Sequence, residues 1–177
     1  MRDLSDRETA PRLAHGGRID RTRPLTFSFD GRTLTGYAGD TLASALLANG
    51  IHLVGRSFKV HRPRGIVGHR ENEPNALMRV GTGDRVTPNL PATMVELTDG
   101  LVAESQNRWP SLKHDLQAVS GLLKPAFPAG FYYKTFMWPA AFWEKVYEPA
   151  IRRAAGLGRA TTAPDPDRYE RGFKHCD

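Results

Sequence analysis

Residues 56–70 hold the densest chemistry in the chain, with Arg56, Lys59, His61, Arg62, Arg64, His69 and Arg70 inside one short stretch. A guanidinium is a planar fork that grips phosphate or carboxylate through two parallel hydrogen bonds. His61, Arg62 and Arg64 are therefore the residues placed to hold a cofactor phosphate or an acidic partner surface. The same side chains can instead brace neighbouring carboxylates and backbone carbonyls. Other groups offer less. Glu71 and Glu73 flank a proline turn and read as a solvated turn rather than an acid–base pair. His52 and His69 lack a thiolate or carboxylate cluster at ligand spacing, so no metal site is expected. His114 and Asp115 are adjacent in sequence, and adjacent positions of a helix do not face each other. The glycine pairs Gly81, Gly83 and Gly156, Gly158 lack the remainder of a dinucleotide fingerprint. No catalytic residue is assigned.

The elements that position this run begin with an alternating stretch at 25–29 and another at 34–37, separated by Asp30 and Gly31. Asp-Gly between two period-two runs predicts a two-residue hairpin. Asp40 or Thr41 then caps a helix whose apolar face is Leu42, Ala45, Leu46 and Ala48, closed by Asn49 and Gly50. After a short apolar run at 51–54 and the cationic loop, strands are expected at 76–80, 93–97 and 101–104. The last two would be joined as a hairpin through Thr98, Asp99 and Gly100. Strand, strand, helix and further strands predict an α+β domain of β-grasp type, a mixed sheet with the helix across one face.

From Trp109 the pattern changes. Ser111 caps a predicted helix carrying Leu112, Leu116, Val119 and Leu123 at helical spacing. A second helix is expected from Pro139 to Ala155, with Arg152 and Arg153 in the last turn and Gly156 as terminator. Between and within them lie Phe131, Tyr132, Tyr133, Phe136, Met137, Trp138, Phe142, Trp143 and Tyr147. A small domain with its own core cannot enclose so many rings, so Phe131, Tyr132, Tyr133, Phe136, Trp138, Phe142 and Trp143 are expected at a protein interface. The organisation that follows is a flexible segment at 1–20, a β-grasp domain at 21–105, a helical aromatic-rich extension at 106–160 and a linker at 161–177. The proline-spaced end of the chain reads as cut from something longer.

Bulk properties narrow the class. The 177 residues carry a net charge of +6, but the basic residues are scattered and no nucleic-acid motif accompanies them, so nucleic acid is not expected as a partner. A free-standing basic binding module is kept as an alternative. There is one cysteine, Cys176, which excludes a disulfide framework and fits a reducing compartment. The N-terminus lacks the apolar core of a secretion signal, and no apolar run approaches the ~20 residues of a membrane span. A cytoplasmic protein without a membrane partner is expected.

Several blocks in order carry a resemblance: 20–24, 39–50, 57–65, 73–76 and 128–136. Together they resemble the N-terminal region of the α subunit of heterotetrameric sarcosine oxidases, across nearly the whole chain after the first dozen residues. The resemblance implies a ferredoxin-like domain ahead of a missing dinucleotide-binding domain. It also implies a flavoenzyme complex that demethylates sarcosine oxidatively to glycine, transfers the one-carbon unit to tetrahydrofolate and forms hydrogen peroxide. The implied partners are the rest of the α subunit and the other subunits. FAD, FMN, NAD and tetrahydrofolate belong to the full complex, and none is expected on this chain alone. A subunit of a related dehydrogenase acting on N-methylglutamate is the alternative of the same architecture. Ferredoxins of plant type wrap the loop after Gly65 around a cluster held by four thiolates, three of them in a C-x4-C-x2-C run. Residues 67–76 contain no cysteine, so the resemblance stops short of that cluster.

Overall fold

The computed structural model describes residues 12–58, 60–119, 138–168 and 172. Strands β1 (Asp20–Phe29) and β2 (Arg32–Ala38) pair antiparallel, with Phe29 opposite Arg32. Asp30 and Gly31 both have positive φ, 48° and 78°, the primed-turn geometry whose twist matches the strands and which selects Asp-Gly. Helix α1 (Leu42–Ala48) follows, with Thr41 and Ser44 forming a reciprocal capping box. That arrangement satisfies two backbone donors at once. Asn49 is the C-cap and Gly50 has φ 71°.

A two-stranded unit, β3 (Gly55–Arg56) and β4 (Pro63–Arg64), holds the cationic run. Strands β5 (Leu77–Val80), β6 (Thr87–Pro91) and β7 (Leu101–Ser105) complete a sheet of order β2-β1-β7-β5-β6. β7 runs parallel to β1 and antiparallel to β5. Phe27, Phe29, Met78 and Ala103 from the sheet pack with Leu42, Ala45 and Leu46 of α1 in one buried cluster. Burying apolar area at roughly 25 cal/mol per Å² is what holds helix to sheet. The chain is α+β with a mixed sheet and few helices.

Three expectations are corrected. Residues 93–97 form no strand, and 98–100 join no hairpin. The carbonyls of Ala92 and Val95 instead accept from the N–H groups of Ala43 and Leu42, and Leu97 N–H donates to Asp40 O. The segment thus satisfies orphan donors at the start of α1, a demand every helix N-terminus makes. The Asp99 turn docks on β1, where Thr26 N–H donates to Asp99 Oδ1 at 2.8 Å and Gly100 N–H to Thr26 O at 2.7 Å. Residues 111–119 are bends followed by a short 3-10 turn rather than an α-helix. Ser111 caps only His114 N–H, and Asp115 is drawn inward. The remainder of that expected helix lies outside the described residues, as do Phe131, Tyr132, Tyr133 and Phe136.

The helix expected after Pro139 is present in three forms. A 3-10 turn (Ala140–Phe142) leads into a π-helical turn (Trp143–Tyr147) and then α2 (Glu148–Ala154). Pro149 accounts for the change of pitch, because proline has no N–H to give Lys145 and its ring crowds that carbonyl. Arg152 pairs with Glu148 one turn earlier, and Gly156 ends the helix with φ 66°. Among the described residues the ring pair is Phe142 with Tyr147, edge-on at 6.3 Å. No helix among them is long and apolar enough to cross a membrane.

Candidate functional site

His61 sits between β3 and β4 with φ 49°, and its side chain is buried. Its Nδ1 is 2.7 Å from Asp115 Oδ2, while Asp115 Oδ1 accepts from Trp109 N–H at 3.0 Å and Gln117 N–H at 3.2 Å. Arg56 closes the group. Its guanidinium donates to the carbonyls of Leu112 and His61 and lies 4.0 Å from Asp115. The charge cluster therefore pins residues 109–117 against the β3–β4 unit, and both His61 and Arg56 serve as braces there. Asp115 was not identified from sequence. A buried acid opposite a basic run 54 residues away leaves no local signal.

Arg62 and Arg64 behave differently. Both are exposed, and among the described residues neither side chain makes a hydrogen bond or ion pair. They border a cleft of ≈ 550 Å³ whose lining includes Phe58, Val60, Leu77 and Leu157 and contains no carboxylate. Apolar lining beside two guanidinium forks suits an anion carried on an apolar body.

Pro74 and Asn75 also line the cleft, and Glu73 fixes the turn that carries them. Its carboxylate is buried, at 3% exposure, where a solvated turn was expected. Oε2 accepts from Val67 N–H at 2.8 Å and Gly68 N–H at 2.5 Å, and Oε1 from Asn75 N–H at 2.8 Å and Ala76 N–H at 3.2 Å. Burial pushes the carboxyl up, but these four donors outweigh it, so its pKa lies below the ordinary 4.5. The loop is also closed on its own backbone. A Cβ on Gly68 would lie 2.6 Å from Asn72 O and 2.8 Å from Glu73 Cα, and one on Gly55 would lie 2.8 Å from Asn75 O.

Two further acids work in the same way. Asp40 is buried and accepts from both nitrogens of the Arg12 fork at 3.1 and 2.8 Å, from Tyr37 N–H at 2.9 Å and from Ser44 Oγ at 2.6 Å. Asp30 accepts from Ser105 N–H and Oγ and from Arg108. Of the two expected caps, Asp40 or Thr41, Thr41 takes the role, and Asp40 ties Arg12, in the segment before β1, to the helix. Of the expected interface rings in the described residues, Trp138 is 84% exposed, Phe142 50% and Trp143 47%. Among the described residues no group of three His, Cys, Asp or Glu side chains could hold a metal.

Residues 22–108 match a family described as a 2Fe-2S iron-sulfur cluster binding domain. Across nearly its whole length the chain is similar to a protein named sarcosine oxidase subunit alpha. It is 64% identical over 166 residues to the protein of that name from Rhizobium meliloti (strain 1021), covering 94% of this chain and 17% of the relative. The subunit from Corynebacterium sp. (strain U-96) is 48% identical over 91 residues, covering 50% of this chain and 9% of the relative. Among solved structures, the crystal structure of L-proline dehydrogenase from P. horikoshii matches at 28% identity and TM-score 0.41, covering 51% of this chain and 17% of that one. The chain thus spans about a sixth of the length of its Rhizobium relative. The residues in the loop do not fit a 2Fe-2S cluster. Four thiolates are required, the loop supplies none, and the backbone N–H groups at its two ends already donate to the Glu73 carboxylate.

Proposed function

We propose that the chain is the structural and interaction part of a sarcosine oxidase α subunit, a scaffold within a flavoenzyme complex rather than a redox centre. In this reading the complex demethylates sarcosine oxidatively to glycine, passes the one-carbon unit to tetrahydrofolate and forms hydrogen peroxide. The observation that supports it most is 64% identity across 94% of the chain, combined with a cofactor loop closed without thiolates. Catalytic groups, FAD, FMN, NAD and tetrahydrofolate are then assigned to the rest of the complex, which works in the cytoplasm. Within the chain, 1–20 is the leading segment, 21–105 the β-grasp domain, 106–160 a helical aromatic-rich extension and 161–177 a linker.

Two surfaces serve assembly in this reading. The exposed Arg62 and Arg64, held in place by the His61 brace, meet an anionic group of a cofactor or neighbouring subunit. The extension, including Trp138, Phe142 and Trp143, docks on the rest of the α subunit. The test is to express the whole subunit with and without residues 1–160, purify each complex by a tag on another subunit, and measure sarcosine-dependent peroxide. Loss of co-purifying subunits together with activity is expected on deletion. A complex that assembles and turns over sarcosine normally without these residues overturns the reading. Turnover of N-methylglutamate in place of sarcosine by the intact complex would assign the alternative substrate and leave the scaffold role standing.

A further inference from the structure

The Glu73 carboxylate lies in the segment that joins the β3–β4 unit to β5, within the span that matches a cluster-binding family. In a plant-type domain that loop closes around a cluster held by cysteine thiolates. Here the loop has no thiolate, yet it is not open. Four backbone N–H groups from its two ends converge on one buried carboxylate, two on each oxygen. We propose that Glu73 is a built-in anion that organises this loop in place of a cluster, converting a metal-binding loop into a closed, cluster-excluding support for the wall of the Arg62–Arg64 cleft.

Three observations carry it. The donors come from Val67 and Gly68 on one side and Asn75 and Ala76 on the other, so a single residue ties both ends of the loop. Backbone N–H groups that converge in this way form an anion-binding concavity, and here the anion is covalently part of the chain. The loop is also packed tightly on its own backbone: Gly68 has no room for a Cβ, because Asn72 O and Glu73 Cα would lie within 3 Å of it. This holds whatever substrate the complex takes, because it concerns the loop and not the reaction.

The test uses the whole subunit in its complex. In the wild-type protein, hydrogen exchange at Val67, Gly68, Asn75 and Ala76 should be slow, close to that of the β5 amides. Iron and acid-labile sulfide should be far below the two of each that a cluster contains, before and after incubation with ferrous iron and sulfide. Glu73→Gln is informative because its amide must face one donor pair with an NH2 group, whichever way it is turned. Exchange at either Val67 and Gly68 or Asn75 and Ala76 should then rise roughly tenfold or more, while amides of Phe27 and Ala103 and a control Glu71→Gln stay unchanged. Fast exchange at the four amides in the wild type overturns the proposal without recourse to any variant. So does a stoichiometric cluster, or a Glu73→Gln protein whose loop amides exchange as in the wild type.

Discussion

Three acids illustrate how single side chains fix this chain: Asp30, Asp40 and Glu73 each accept several backbone or guanidinium donors across a turn or loop. Removing such an acceptor leaves its donors buried and unpaired, which costs more than the hydrogen bond contributes. Asp40→Ala should therefore destabilise the chain by on the order of 3 kcal/mol, and Arg12→Ala by clearly less, because Arg12 lies nearer the surface. Urea denaturation of both variants distinguishes this order from its reverse. For Glu73 the sign of the pH effect is fixed by its depressed pKa. Such a group contributes stability above its unfolded value and loses that contribution as pH falls through the lower folded value. Wild type should exceed Glu73→Gln by on the order of 2 kcal/mol at neutral pH. That difference should shrink below pH 4.5 and close further down. A difference that stays constant through the acid range contradicts the assignment of Glu73 as an ionised acceptor.

At the scale of elements, the Asn89 side chain is one of several ties between the sheet and residues 106–158. Asn89 in β6 adopts φ 62°. Its Oδ1 accepts from Gly158 N–H at 2.9 Å and from Gln106 Nε2 at 2.8 Å, and its Nδ2 donates to Gly158 O at 3.1 Å. The side chain thereby pairs with Gly158 as a strand backbone would. Asn89→Ala should cost about 2–3 kcal/mol from the lost bonds and from placing alanine in the left-handed region. Limited proteolysis should then cut after α2 before the sheet loosens; unchanged cleavage would show that the clamp does not hold the extension. This clamp also marks what sequence could and could not supply. The β1–β2 hairpin and α1 were legible because Asp-Gly, the capping pair and the apolar spacing are local signals. β6 was not, since Pro88 and Pro91 read as breakers, and proline is tolerated there only because β6 is the sheet edge. Residues 93–97 have strand-like alternation, but the Val95 carbonyl and the Leu97 N–H serve the segment at the start of α1, a long-range demand. The same holds at the site. The exposed arginines were visible as a charge run, whereas Asp115 and Glu73 acquire their roles only when the loops close.

For the whole molecule, the question is what covers the extension. Trp138 is 84% exposed, with Phe142, Trp143 and Val146 each close to half exposed, while within the segment the Tyr147 hydroxyl donates to Trp138 O at 2.9 Å and its ring meets Phe142 edge-on. Large rings left in water are a standing cost, and such patches mark interfaces in soluble proteins. Each aromatic can bury on the order of 150–250 Å² on docking. In the proposed reading, the remainder of an α subunit like the Rhizobium relative, of which this chain spans 17%, supplies a surface of adequate size. Replacing Trp138 and Trp143 together with alanine in the full complex should weaken assembly by roughly 30-fold or more, the scale of a lost interface anchor. The sheet domain should keep its stability, because neither ring belongs to the buried cluster around Phe27, Leu42 and Met78. Sedimentation of the complex and thermal unfolding of the chain separate the outcomes. If the double variant unfolds the sheet domain while the complex assembles normally, the rings belong to the domain's own core and the docking role is wrong.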